Sequence, residues 1–148
     1  MNTTTNIHDN LFGNIPYVAP EIFRADSSAG QNPYTKYSDI YSLGVLFWQI
    51  SSGKSPFENQ AHYVIITKVM TGIKENKIPD TPDEYYNLYT GCWDDEPNER
   101  YTIEYIYDVL VRLLKNDKHI DCNDHDSENK NECKFNNQIS NSLIKLLS

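Results

Sequence analysis

The sequence predicts an all-α domain of about four helices that is followed by a polar tail. Apolar residues recur at helical spacing in several segments between residues 40 and 113. No segment alternates apolar and polar residues over a length that would support a strand. The composition changes near Asn116, after which Asn, Asp, Glu and Lys dominate. A chain of 148 residues has the size of one domain and is long enough to bury its own core.

The most apolar segment predicts a helix from Ile40 to Ile50. Nearly every face of this segment carries apolar side chains, and a helix that is apolar all round is normally surrounded by protein. Gly53 then ends the helix because glycine tolerates the left-handed cap conformation, and Pro56 cannot continue a helix. We therefore expect a core helix here.

Three further helices are predicted after this central helix. The first includes Val64 and Val69 and is capped by Gly72. The second carries apolar residues of positions 85–92 at i, i+3, i+4 and i+7, which form one stripe. The third extends from Thr102, a residue type that is favoured at the N-cap, to Leu113.

Both ends of the chain differ from this helical part. Residues 1–10 and 116–138 are polar and are predicted to be disordered, since they cannot bury enough apolar surface to fold. Residues 139–148 predict a short amphipathic helix, with a frayed tail as the alternative. The apolar residues of that segment are Ile139, Leu143, Ile144, Leu146 and Leu147.

The charge and cysteine content exclude several classes of partner. Thirteen basic and 21 acidic residues give a net charge of −8, which argues against binding to nucleic acid or to an anionic membrane. The longest apolar run, Val45 to Trp48, is too short to span a bilayer. Three cysteines are an odd number, and Met1 to Asn10 is polar, so we expect a reducing setting, cytoplasmic or alternatively nuclear.

Four sequence motifs follow one another in a specific order. They are Gly-x-x-Pro-Tyr-x-Ala-Pro-Glu at 13–21, Ser-Asp-Ile-Tyr-Ser-Leu-Gly at 38–44, Ser-Gly-Lys-Ser-Pro-Phe at 52–57, and Cys-Trp-Asp-Asp-Glu-Pro-Asn-Glu-Arg at 92–100. Over residues 11–115 this order resembles the C-terminal lobe of protein kinases of the tyrosine-kinase-like and Ser/Thr types, from the Ala-Pro-Glu motif of the activation segment onward. The resemblance implies the C-terminal half of a kinase C-lobe.

The resemblance also implies structural roles for the matched residues. Glu21 looks like the carboxylate that forms a buried ion pair with Arg100, whereas the alternative is two solvated charges. Asp39 resembles the aspartate at the start of the central helix that accepts N–H bonds from the catalytic loop. The simpler alternative is a carboxylate that the helix dipole favours. The remaining matched residues look like packing and turn residues: Ala19, Pro20, Gly44, Trp93 and Pro97.

One matched segment is implied to contact the substrate. Gly13, Asn14, Pro16 and Tyr17 resemble the loop that receives the substrate residue after the phosphorylated one. The Pro-Tyr pair is typical of Ser/Thr kinases. Asn14, however, stands where those enzymes commonly carry a threonine that hydrogen-bonds the catalytic base and lysine. The choice between Ser/Thr and Tyr substrates therefore stays open.

No catalytic, cofactor or metal residues are predicted in this chain. In the family, the elements that hold ATP and Mg²⁺ all lie N-terminal to Ala-Pro-Glu, and eighteen residues precede that motif here. His8-Asp9-Asn10 and Phe12-Gly13 are similar to catalytic motifs, but they lie too close to Ala-Pro-Glu. A zinc site is disfavoured as well, because polar residues fill every gap between its candidate ligands, His119, Cys122, His125 and Cys133.

These observations leave several hypotheses about function. The first is a partial kinase domain that is inactive alone, from a family that transfers the γ-phosphate of ATP to protein hydroxyls. The second is a non-catalytic, kinase-derived module that binds proteins, and the third is a truncated gene product. The expected partners are protein substrates or regulatory proteins. Because the resemblance lacks the elements that enclose the central helix, self-association through an uncovered apolar face is expected too.

Overall fold

A computed structural model describes residues 14–25 and 34–116, together with Asn137, Ile139 and Asn141. These residues contain helices and turns but no β-strand, so the all-α prediction is confirmed for this part of the chain. The helices are α1 (Pro20–Arg24), α2 (Lys36–Ser52), α3 (His62–Met70), α4 (Asp83–Cys92) and α5 (Ile103–Asn116), with 3-10 turns at Ile15–Tyr17 and Pro97–Glu99.

The central helix α2 begins earlier than its apolar pattern predicts. It starts at Lys36 rather than Ile40, because Thr35 and Ser38 form a capping box that satisfies the first backbone N–H groups. This first turn is polar, so apolar spacing alone does not detect it. The helix ends as predicted at Gly53, which adopts a left-handed conformation with φ of 65°.

The apolar faces of α2 are not equally enclosed. Ile40, Val45 and Trp48 are buried, whereas Leu43 and Leu46 are only partly buried. The prediction of a core helix is therefore confirmed for most of its apolar positions, although the described residues do not completely cover Leu43 and Leu46. The partly open face agrees with the uncovered surface that the resemblance implies.

Helix α4 packs closely against α2 at a glycine. A Cβ atom at Gly44 would lie 2.9 Å from Cys92 Cβ, from the backbone N of Trp93 and from the backbone O of Tyr89. Only the absence of a side chain at Gly44 allows this approach. Tyr85 reinforces the contact, since its hydroxyl donates a hydrogen bond of 2.9 Å to a backbone carbonyl of α2.

Helix α3 packs against α1 and the first 3-10 turn. Its C-terminus is a Schellman cap in which the Ile73 N–H donates to the Lys68 carbonyl and Gly72 has a φ of 75°. The predicted cap at Gly72 is therefore confirmed. Arg24 of α1 also donates a 2.8 Å hydrogen bond to the carbonyl of Met70, which joins the ends of the two helices.

Helix α5 has one buried and one exposed apolar side. Thr102 caps it by accepting a hydrogen bond from the Tyr105 N–H at 3.3 Å, in agreement with the sequence. Ile106 and Val109 are buried, whereas the exposed large apolar side chains of the helix are Ile103, Tyr105, Tyr107 and Leu114.

One residue of the C-terminal segment reaches the core. Ile139 is helical and only 5% exposed, whereas Asn137 and Asn141 are helical and exposed. The predictions for residues 1–13, for residues 117–136, including the zinc candidates, and for 142–148 fall outside the described residues. None of the described helices has the length and apolar content needed to cross a membrane.

Candidate functional site

A bidentate ion pair joins two distant parts of the chain. Arg100 donates from Nη1 to Oε1 of Glu21 at 2.7 Å and from Nη2 to Oε2 at 2.8 Å. The Arg100 side chain is completely buried and that of Glu21 is 24% exposed. The pairing that the resemblance implies is thus present, and the alternative of two solvated charges is wrong. Two parallel bonds fix the position as well as the distance of the partners.

Arg100 uses its remaining donors on backbone carbonyls. Its Nε donates to the Asp94 carbonyl at 2.8 Å, and Nη1 also donates to the Tyr37 carbonyl at 2.8 Å. A buried charge is tolerated when its hydrogen-bonding groups are satisfied in this way. One side chain therefore connects α1, the start of α2 and the turn after α4.

The environment of Glu21 favours its ionised form. Burial opposes ionisation, but hydrogen bonds from Arg100 and the backbone, with the positive charges of Arg100 and Arg24, hold the pKa of Glu21 below its ordinary value. The carboxylate is consequently charged at neutral pH, as the ion pair requires.

Local sequence places both partners. Ala19 is buried in an extended conformation, and Pro20 occupies the first position of α1, where its missing N–H costs nothing. Glu21 then lies in the first turn, where the helix dipole favours a negative charge. Arg100 directly follows the 3-10 turn that Pro97 begins, and it is itself buried.

The segment before α1 is anchored to the middle of α2. The Tyr17 hydroxyl donates to Gln49 Oε1, and Ser42 Oγ donates to the Tyr17 carbonyl at 2.7 Å. Burial raises the pKa of Tyr17, so the hydroxyl remains a donor at neutral pH. Asn14 is exposed at the start of the 3-10 turn, and its side chain makes no capping bond there.

An open groove of about 770 Å³ lies between this segment and α2. We call it the α2 groove. Its apolar walls include Ile22, Leu43 and Leu46, and Asp39 is the one charged side chain among its described lining residues. Asn14 and Tyr17 lie at the same groove, so the segment implied to receive substrate borders it.

The predicted site residues therefore separate into two groups. Asn14, Tyr17, Ala19 and Asp39 line the α2 groove, with Asp39 exposed in the first turn of α2. A second group holds the scaffold together away from the groove and comprises Glu21, Gly44, Trp93, Pro97 and Arg100. Pro16 lies within the first 3-10 turn, and Gly13 is outside the described residues.

Several residues of the site were not predicted from the sequence. The buried ring of Tyr41 lies between two cations, 5.2 Å from Lys74 Nζ and 5.1 Å from Arg100 Cζ. Gln49 and Ser42 anchor Tyr17 from within an apolar helix. Their polar character inside that helix was the available signal, because a polar residue on a packed face normally has a partner.

Comparison with known proteins agrees with this geometry. The family model described as protein tyrosine and serine/threonine kinase matches residues 2–110. A probable LIM domain-containing serine/threonine-protein kinase of Dictyostelium discoideum is 32% identical over 97 residues, which are 66% of this chain and 9% of that protein. Macrophage colony-stimulating factor 1 receptor 2 of Takifugu rubripes is 38% identical over 117 residues, 78% of this chain and 11% of the receptor.

A third relative is mitogen-activated protein kinase kinase kinase 7 of Drosophila melanogaster, which is 29% identical over 104 residues, 70% of this chain and 14% of that kinase. The chain thus matches about a tenth of the length of these relatives, which include a serine/threonine-protein kinase and a receptor. The ordered motifs, the Glu21–Arg100 pair and the match over residues 2–110 lead to one conclusion. The chain belongs to the protein tyrosine and serine/threonine kinase family.

Proposed function

We propose that residues 14–116 form the substrate-side part of a kinase C-terminal lobe. In this proposal the α2 groove and the segment 14–17 hold a stretch of a protein substrate or regulatory protein. The observation that carries the proposal is the Arg100 network, which fixes the segment through α1 to two other parts of the domain.

The rigidity of the groove rim supports this function. Three separate anchors hold residues 14–21, namely the Glu21–Arg100 pair, the bond from Ser42 to the Tyr17 carbonyl and the bond from Tyr17 to Gln49. A surface that is already ordered loses little conformational entropy when a partner binds. The rim is consequently suited to position an extended peptide.

Phosphate transfer is proposed to require residues beyond these 148. In the family, ATP and Mg²⁺ supply the phosphoryl group, and the residues that hold them stabilise its charge. The α2 groove offers one carboxylate, Asp39, and no lysine or arginine among its described lining residues. Nothing there neutralises a triphosphate. The proposed role of this part is therefore to position protein, not nucleotide.

Calorimetry with Mg·ATP tests the catalytic part of the proposal. We expect residues 1–148 to show no binding heat and no phosphorylation of a generic protein substrate, because the sequence has no glycine-rich loop, phosphate-binding lysine or metal-binding motif. Specific binding of Mg·ATP at micromolar concentration would contradict the proposal.

An array of Ser-, Thr- and Tyr-containing peptides tests the groove. We expect Leu46→Asp to abolish the binding of peptides that the unchanged chain retains, since it places a charge on the apolar wall. Tyr63→Asp is the matched control, because Tyr63 is 74% exposed and is not among the described lining residues of the groove. Equal binding by the Leu46→Asp variant would show that the partner binds elsewhere.

A non-catalytic protein-binding module is the second candidate. The observation that favours it is a core that closes within the described residues, where Tyr85, Leu88 and Tyr89 of α4 are at most 1% exposed. The coding sequence upstream of Met1 separates the candidates. Asp-Phe-Gly and His-Arg-Asp codons in frame would identify a kinase parent, whereas their absence there favours the module.

A further inference from the structure

The α2 groove exposes apolar side chains that no described residue covers. Leu43 and Leu46 are one helical turn apart on α2 and both line it. Leu43 packs partly against the core, whereas Leu46 is outside the core cluster of the described residues. A groove of about 770 Å³ has the size of a binding site, and exposed apolar side chains of this kind are often covered by a binding partner.

The C-terminal segment of the same chain has a face that is directed at the domain. Ile139 is buried, and Asn137 and Asn141, two positions before and after it in the helix, are exposed. Positions two apart in a helix lie on nearly opposite sides. Among the three described residues of this segment, Ile139 is therefore on the inner side and the two asparagines are on the outer side.

The sequence after Ile139 has apolar residues at the positions that would share its helix face. In helical register, positions i+4, i+7 and i+8 from Ile139 share its face, and they are occupied by Leu143, Leu146 and Leu147. The outer side carries the two asparagines and, in the same register, Ile144 and Lys145. A helix continued to the C-terminus thus presents an unbroken apolar stripe.

We propose that residues 137–148 dock in cis as an amphipathic helix, with Leu143, Leu146 and Leu147 seated in the α2 groove against Leu43 and Leu46. The docked segment closes the face of α2 that the rest of the described chain leaves open. It also competes with any protein segment that uses the same groove, whether or not the proposed function is correct.

Chain length agrees with this docking. The connecting residues 117–136 extend to roughly 65 Å at full length, which is ample for reaching any face of a domain of this size. An intramolecular segment also has a high effective concentration, so modest contacts suffice.

A spin label at the C-terminus tests the docking in the full chain. Ser148→Cys, with Cys122→Ser and Cys133→Ser, leaves one reactive thiol. Cys92 stays unlabelled because it is fully buried, and burial raises its pKa to about 12. We expect the methyl NMR signals of Leu43 and Leu46 to show the strongest paramagnetic loss of intensity, and the signals of Leu114 on α5 to show much less.

The matched variants separate the docking helix from a loose tail. Leu143→Ser/Leu146→Ser/Leu147→Ser keeps Ile139 and should abolish the loss at Leu43 and Leu46, whereas Asn137→Ser/Asn141→Ser should preserve it. The strongest loss at Leu114 would overturn the proposal in favour of the exposed side of α5. Loss that appears when labelled and isotope-enriched chains are mixed would show a second copy in the groove, and uniformly weak loss would show an undocked tail.

Discussion

The two sides of helix α2 differ in how completely other described parts of the chain cover them. On the side of Arg100, the guanidinium donates to Glu21 and to two backbone carbonyls. On the same side Gly44 lies in close contact with α4, and the ring of Tyr41 lies near two cations. On the side of the α2 groove, Leu43 and Leu46 are only partly buried by the described residues, and Asp39 is exposed. The comparison teaches that contacts within the described chain cover one side of α2 well, whereas they leave the apolar wall of the α2 groove partly exposed.

Removal of the buried cation should have the largest effect on stability. Arg100→Ala leaves the Glu21 carboxylate without its partner, and we expect a loss of about 3–5 kcal/mol in the free energy of unfolding. Urea denaturation measures this. Arg112→Ala is the control, because the Arg112–Glu84 pair is exposed and should contribute less than about 1 kcal/mol. Equal losses in Arg100→Ala and Arg112→Ala would mean that the buried Arg100 network contributes no more to the free energy of unfolding than an exposed ion pair does.

A methyl group at the closest contact should have the next largest effect. In Gly44→Ala the new Cβ meets backbone atoms of α4 and Trp93 at 2.9 Å, and these atoms cannot move aside without shifting the helix. We expect a loss of about 1–3 kcal/mol, measured by the thermal or urea midpoint. Gly53→Asn is the control, since nothing lies within 4 Å of its Cβ and asparagine tolerates a left-handed φ. An unchanged midpoint in Gly44→Ala would contradict the close packing.

Low pH should reduce the contribution that Glu21 makes to the free energy of unfolding. Its pKa is lower in the folded state than in the unfolded state, so the unfolded chain binds the proton more readily. The stabilisation is complete above the unfolded pKa of about 4.3 and is lost as the pH falls through the folded pKa. The stability difference between the unchanged chain and Glu21→Gln should therefore shrink below about pH 4. A difference that stays constant between neutral and acid pH would show that Glu21 does not carry this dependence.

Substitutions that uncover the α2 groove should affect the association of the chain rather than its folding. In Leu143→Ser/Leu146→Ser/Leu147→Ser we expect increased binding of a hydrophobic dye and a hydrodynamic radius that grows with concentration, because the α2 groove is uncovered. Adding Leu46→Asp should reverse both changes. A triple variant that remains a compact monomer without dye uptake would show that the groove does not drive association.

The sequence by itself indicated the family and four of the five described helices, but it did not predict the short helix α1 or the first turn of α2. Periodic apolar spacing located α3, α4 and α5, and Gly53 and Gly72 marked helix ends, because these signals depend on neighbours within a few residues. The order of the motifs was enough to pair Glu21 with Arg100, although 79 positions separate them. That pairing came from resemblance and not from local rules.

Only the tertiary structure decided which residues of α2 are buried and which line the α2 groove. Its sequence is apolar on nearly every face, so no pattern within the helix distinguishes Val45, which is buried, from Leu46, which lines a groove. The position of Tyr41 between Lys74 and Arg100 likewise requires three separate elements to meet. Local periodicity fixes which residues share a helix face. What covers that face depends on distant parts of the chain, because packing is a property of surfaces that meet only after folding.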